Sequence, residues 1–228
     1  MKILNRIIVF ALPCIIILLM ANCQKVVTDY GNNGAISGLL KDQAGNLVYG
    51  DITSTNLSVI ALGDGDIVTT DMRVHGDGSY SHTKLFPKEY KIYVIGPVTM
   101  VDDTIVVDFS STKSVVKDIV VTPFLSLAKP TVAGNLTATT VDISYAITAN
   151  SGKTVSKRAL YCSTVPYPNA ATGSGPFYSS KTVNLTLNSG TASVTGLTEK
   201  TKYFIRIGAQ ATGATGFNYS DQIEITTP

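Results

Sequence analysis

Val141, Ile143, Tyr145 and Ile147 alternate with Asp142, Ser144, Ala146 and Thr148. Side chains of an extended strand point to opposite faces in turn, so this spacing predicts a strand with one buried and one wetted face. The same period returns at Val68, Thr70, Met72 and Val74 against Thr69, Asp71 and Arg73. It returns again at Tyr203, Ile205, Ile207 and Ala209 against Phe204, Arg206, Gly208 and Gln210, which predicts a third half-buried strand there. Short apolar runs at 35–40, 57–62, 67–74, 90–95, 104–109 and 115–121 are separated by turn signals such as Asp42-Gln43-Ala44-Gly45-Asn46 and His75-Gly76-Asp77-Gly78. Many short strands closed by residues that tolerate positive φ are the pattern of β-sandwiches. With 228 residues, only 15% of them charged, the expected fold class is all-β, in two tandem sandwiches of about 100 residues each.

The N-terminus carries a different pattern. Lys2 and Arg6 precede fourteen apolar residues, 7–20, and then Ala21, Asn22 and Cys23. A membrane-spanning helix needs about 20 apolar residues, and Pro13 interrupts this shorter run, so it reads as an export signal. The segment resembles a bacterial lipoprotein signal, and that resemblance implies lipidation at Cys23, which would anchor the exported protein to the bacterial outer membrane. Residues 1–22 are then the signal and 23–33 a polar tether. Cys14 leaves with the signal and Cys23 carries lipid, so Cys162 is alone in the remainder and is expected to be a small buried hydrophobe. Two of the eighteen basic residues precede Cys23, leaving sixteen against sixteen acidic ones. A chain without excess positive charge lacks the basis for nucleic-acid binding.

Thr122-Pro123-Phe124 ends the first strand series, because proline cannot donate to a central ladder. The expected domains are 34–124 and 125–228. In the first, Gly38, Asp42, Gly45, the turn Asp77-Gly78-Ser79-Tyr80 and the run Leu85-Phe86-Pro87-Lys88-Glu89-Tyr90 resemble the carboxypeptidase regulatory-like domain, a transthyretin-like sandwich. In the second, Gly196-Leu197-Thr198-Glu199-Lys200-Thr201-Lys202-Tyr203 resembles a fibronectin type III domain, implying an inward Leu197 and a tyrosine corner at Tyr203, with Tyr145 in place of the family's tryptophan. Taken together, the chain resembles an uncharacterised family of Bacteroidetes lipoproteins, a domain of unknown function often encoded beside glycan-import systems.

Catalytic chemistry has little to work with. His75 and His82 are the two histidines, too few for a zinc site without cysteine ligands, and no Gly-x-Ser-x-Gly elbow is present. Asp64, Asp66, Asp71 and Asp77 lie near turns but lack EF-hand spacing. The chain is therefore read as non-enzymatic, with no cofactor and no metal. The segment 163–181 is longer than a hairpin requires, and such loops tend to be functional. Its Tyr167, Phe177 and Tyr178, with Phe217 and Tyr219 from a later loop, form the candidate ligand patch, because aromatic faces stack on sugar rings. Asp103-Thr104-Ile105 resembles a short O-glycosylation signal of Bacteroidetes envelope proteins and makes Thr104 a candidate acceptor. The expected role is an accessory or glycan-binding component of a surface polysaccharide-uptake system, partnering the membrane, glycan and outer-membrane import proteins. The alternatives are a structural or adhesive protein-docking lipoprotein with no small ligand and, further behind, an enzyme.

Overall fold

The structure, a computed structural model, describes residues 31–51, 57–171 and 181–228. Among the described residues there is no helix, and Asn33–Pro228 form one compact unit. Two hydrophobic cores divide that unit. The first is built by nine strands: β1 (Gly34–Lys41), β2 (Ser58–Gly63), β3 (Thr70–Arg73), β4 (Ser79–Leu85), β5 (Glu89–Ile95), β6 (Val98–Met100), β7 (Ile105–Asp108), β8 (Ser114–Val116) and β9 (Ile119–Pro123). One sheet runs β4-β1-β9-β6 with β8 also beside β1, and the other runs β3-β2-β5-β7. Ile36, Leu40, Val59, Met72, Tyr80, Ile92 and Ile119 fill the space between them.

Local chemistry explains the close approaches in this sandwich. Tyr80 donates its hydroxyl to the Lys117 carbonyl at 2.5 Å. A Cβ at Gly38 would lie 1.9 Å from that same oxygen, so only glycine lets β1 run beneath the 117 backbone. Asp77 Oδ1 accepts from the backbone N–H and hydroxyl of Ser79, and Gly78 takes φ +81°, which closes the turn into β4. The strand expected over 67–74 is shorter than its alternation suggested and spans only Thr70–Arg73. Gly65 at φ +75° turns the chain, and Lys88 holds Asp66 at 2.5 Å. Ile67 and Val68 are consequently left in an exposed loop, Ile67 at 99% exposure. Asp66 thus serves an ion pair and Asp77 a turn.

The second core is built by β10 (Leu125–Leu127), β11 (Thr131–Leu136), β12 (Thr140–Ala149), β13 (Val155–Ser163), β14 (Lys181–Asn184), β15 (Ser189–Thr195), β16 (Lys202–Ala211), β17 (Asn218–Tyr219) and β18 (Ile223–Thr226). β12 is flanked by β10, β11 and β15, whereas β13 and β16 pair centrally with β14, β17 and β18 around them. Val141, Ile143, Tyr145 and Ile147 face inward from β12 as their spacing predicted. Leu197 is buried, and the Thr198 N–H donates to the Tyr203 hydroxyl at 3.0 Å, forming the corner. β16 differs from its half-buried pattern: every residue from Ile205 to Ala209 is buried, Arg206 and Gly208 included. Its second face is covered, and what covers it forms the domain joint.

Two outcomes follow from these environments. Asp118 accepts from Lys41 Nζ at 2.6 Å and from the Leu39 N–H at 3.0 Å, and these bonds hold its carboxyl below the usual value. A depressed carboxyl pKa contributes stability above the unfolded value of about 4, lost as pH falls through the folded value. In urea unfolding, the advantage of the natural protein over Asp118→Asn should be present at pH 7 and shrink below pH 4; an advantage that grows in acid would contradict this. Cys162 is buried in the second core, and burial pushes its thiol up to about 12. Ellman's reagent applied to residues 24–228 should leave the native thiol unmodified at pH 8 and titrate it after unfolding.

Candidate functional site

Arg206 projects from the outer face of β16 and has no exposed surface. An isolated buried cation is costly, so its surroundings must replace water. Its Nε donates to the carbonyl of Pro168, Nη1 and Nη2 both reach the Gly50 carbonyl at 3.3 Å, and Nη2 reaches that of Tyr167 at 3.3 Å. The guanidinium carbon stands 3.9 Å from the centroid of the Tyr219 ring, a cation–π contact. The Tyr219 hydroxyl donates to Asp51 Oδ2 at 2.9 Å and accepts from the Ala170 N–H at 3.0 Å. Gly50 and Asp51 belong to the first domain, whereas the 167–170 segment and Tyr219 belong to the second. One side chain therefore ties both domains together.

Burial pushes Arg206 down to about 10, opposed by Tyr219 and Asp51, and it stays cationic at neutral pH. Burial raises Tyr219 well above its ordinary value, with Asp51 adding to the effect. Tyr161 and Tyr49 are each pushed up to about 12, first by burial and next by Asp51 and Asp221 respectively. The joint is thus built from phenols held neutral around one buried cation, with Asp51 beside them.

Two glycines allow this packing. A Cβ at Gly208 would meet the Tyr161 and Tyr219 rings at 2.6 and 2.7 Å, and one at Gly76 would meet Tyr167 Cγ at 2.3 Å. Tyr167 therefore lies against the 75–78 turn of the first domain, held at φ +59° with its N–H donated to Gln222 Oε1 at 2.6 Å. Asn218 adds a further tie: its amide donates to the Pro97 carbonyl at 3.0 Å and its Oδ1 accepts from the Leu125 N–H at 3.1 Å.

The expected aromatic patch resolves into separate placements. Tyr219 is buried, with Arg206 over its ring and Phe217 stacked beside it at 6.1 Å, so it offers no free face to a sugar. Tyr167 and Tyr219 do come together, around Arg206 and as parts of the joint. Phe217 is half-buried and, with Tyr161 and Arg158, lines a small pocket of about 270 Å³. Phe177, Tyr178 and the lipidation candidate Cys23 lie outside the described residues. Thr104 is exposed immediately before β7. His75 and His82 lie on β4 or the turn before it, and among the described residues no cluster of three His, Cys, Asp or Glu could hold a metal.

Beside the joint opens a cleft of about 530 Å³, the size of a small-molecule site. Asp42, Asn46 and Tyr49 line it from the first domain, and Ser126, Thr148 and the Lys129–Asp221 ion pair, 2.6 Å long, line it from the second. Sequence reasoning passed over both Arg206 and this cleft. The one available signal was an arginine set between isoleucines at the centre of a strand.

Fold and joint together define a class: a tandem β-sandwich protein whose domains meet over the outer face of β13 and β16, with a cleft of mixed polar and apolar lining at the seam. Solved structures similar in fold include a DUF3823 family protein from Bacteroides ovatus, 18% identical, with a TM-score of 0.65 over 86% of this chain and 100% of that one. A DUF3823 family protein from Parabacteroides merdae is 16% identical, with a TM-score of 0.67 over 85% of this chain and 98% of that one. A proposed carbohydrate binding protein from Bacteroides uniformis is 20% identical, with a TM-score of 0.64 over 86% and 100%. No family model and no curated protein matches the chain. At the level of fold, these likenesses agree with the Bacteroidetes resemblance seen in the sequence.

Removing the Arg206 charge leaves buried carbonyls without a donor and Asp51 without its nearby cation. Arg206→Met should cost about 3–5 kcal/mol, the range for breaking a buried charged network from one side. Tyr219→Phe keeps the ring and loses one hydroxyl, costing about 1–3 kcal/mol. Urea unfolding measures both, and a larger loss for Tyr219→Phe than for Arg206→Met would reverse the assigned order.

Proposed function

We propose that this chain is a non-catalytic, exported lipoprotein, anchored through Cys23, that binds glycan as an accessory component of a surface polysaccharide-uptake system. The observation that carries the reading is the two-domain likeness, over 86% of the chain, to a structure described as a proposed carbohydrate binding protein. The ligand-sized cleft at the seam supports it, because sites for small ligands favour domain interfaces. The signal-like N-terminus supports export and anchoring, and the family's setting beside glycan-import genes supports the uptake role.

A glycan array probed with residues 24–228 tests the reading. Reproducible binding to one polysaccharide class is the expected result. A blank array would overturn glycan binding in favour of a protein-docking role.

A further inference from the structure

Resting on the carbohydrate-binding reading above, we infer that the interdomain cleft is the glycan site and that it takes a neutral oligosaccharide. Three properties of the seam carry this. Its volume, about 530 Å³, falls within the roughly 300–1,000 Å³ of ligand sites. The pocket beside Phe217 reaches only about 270 Å³.

Its chemistry suits a sugar. Tyr49 is half-buried and lines the cleft, offering part of an aromatic ring to the C–H face of a pyranose. Around it stand short polar groups, the Asn46 amide, one N–H of which is bonded to Asp42, and the Ser126 and Thr148 hydroxyls, the former accepting from Asn150; the remaining donors and acceptors suit sugar hydroxyls.

Its charge selects against acidic glycans. The lining carries two carboxylates, Asp42 and Asp221, against one ammonium, Lys129, which is already paired with Asp221. Asp42 is left as the surplus charge, and it repels a uronate or sulfate. The walls are also set before a ligand arrives. Tyr49 pairs with Tyr219 through a backbone bridge, and Tyr219 is clamped by Arg206 and Asp51. Little ordering is left for binding to impose.

Native electrophoresis of the full chain in nonionic detergent, through gels containing starch, xylan, arabinan, mannan or polygalacturonate, tests the inference. Two variants accompany the natural protein: Tyr49→Ala removes the ring, and Ala128→Arg fills the cleft from an exposed lining position outside the joint. The expected result is retardation by one of the four neutral polymers, with the apparent Kd weakened at least tenfold in both variants. Because Tyr49 also packs against the joint, Ala128→Arg decides the matter if Tyr49→Ala fails to fold. Undiminished retardation of Ala128→Arg would overturn the cleft as the site while leaving glycan binding standing. Retardation by polygalacturonate alone would overturn the neutral class. No retardation by any polymer would overturn the carbohydrate reading itself, and this inference with it.

Discussion

A guanidinium without water is the constraint around which the two domains are arranged. Placing that charge in a low-dielectric interior is unfavourable unless each nitrogen finds an acceptor and a countercharge stands close by. Arg206 meets these conditions with carbonyls from two stretches of chain, Gly50 on one side and Tyr167 and Pro168 on the other, and with Asp51 reached through the Tyr219 hydroxyl. None of these groups is available within β16 itself. The arginine is compatible with burial only when the first domain and the 167–170 segment are both in place, so the docked arrangement is the one in which the charge is satisfied.

Antiparallel sandwiches ordinarily leave the outer face of each sheet to water. Here the outer face of β13 and β16 is a docking platform. Ala159, Tyr161 and Tyr219 form a small apolar cluster on it, separate from the domain core and backed by Tyr49, Ala170 and Phe217. Gly208 keeps the centre of that platform flat enough for two rings to cross it. A seam made this way is stiff, because aromatic rings have few rotamers and the polar groups between them are directionally bonded. The cleft beside it inherits that stiffness.

Periodicity made the second sandwich legible. The inward set of β12 follows from its spacing, the corner at Tyr203 and the buried Leu197 from the resemblance to a fibronectin type III domain, and the burial of Cys162 from its being a lone cysteine. The 67–74 strand was misread because alternation alone does not see a glycine turn and a lysine bridge pulling Ile67 and Val68 into solvent. Burial of Arg206 was illegible for a deeper reason. A strand pattern reports which face meets its own core, and a face covered by a distant stretch of chain leaves no period behind. The aromatic patch suffered from the same blindness. Tyr219 has the composition of a sugar platform, and only three-dimensional packing reveals that its ring is spoken for.

The groups around Arg206 also come from widely separated stretches of the chain. Gly50 and Asp51 emerge from synthesis long before Arg206, in a domain whose core closes with Ile119 and Val121 and borrows nothing from later strands. The second core likewise draws on its own residues, but its outer face does not: without the first domain Arg206 keeps Pro168, Tyr167 and the Tyr219 ring and lacks the Gly50 carbonyl and Asp51. The earlier domain, its core closed on its own residues, thus supplies the carbonyl and the carboxylate that complete the surroundings of a charge carried by the later one.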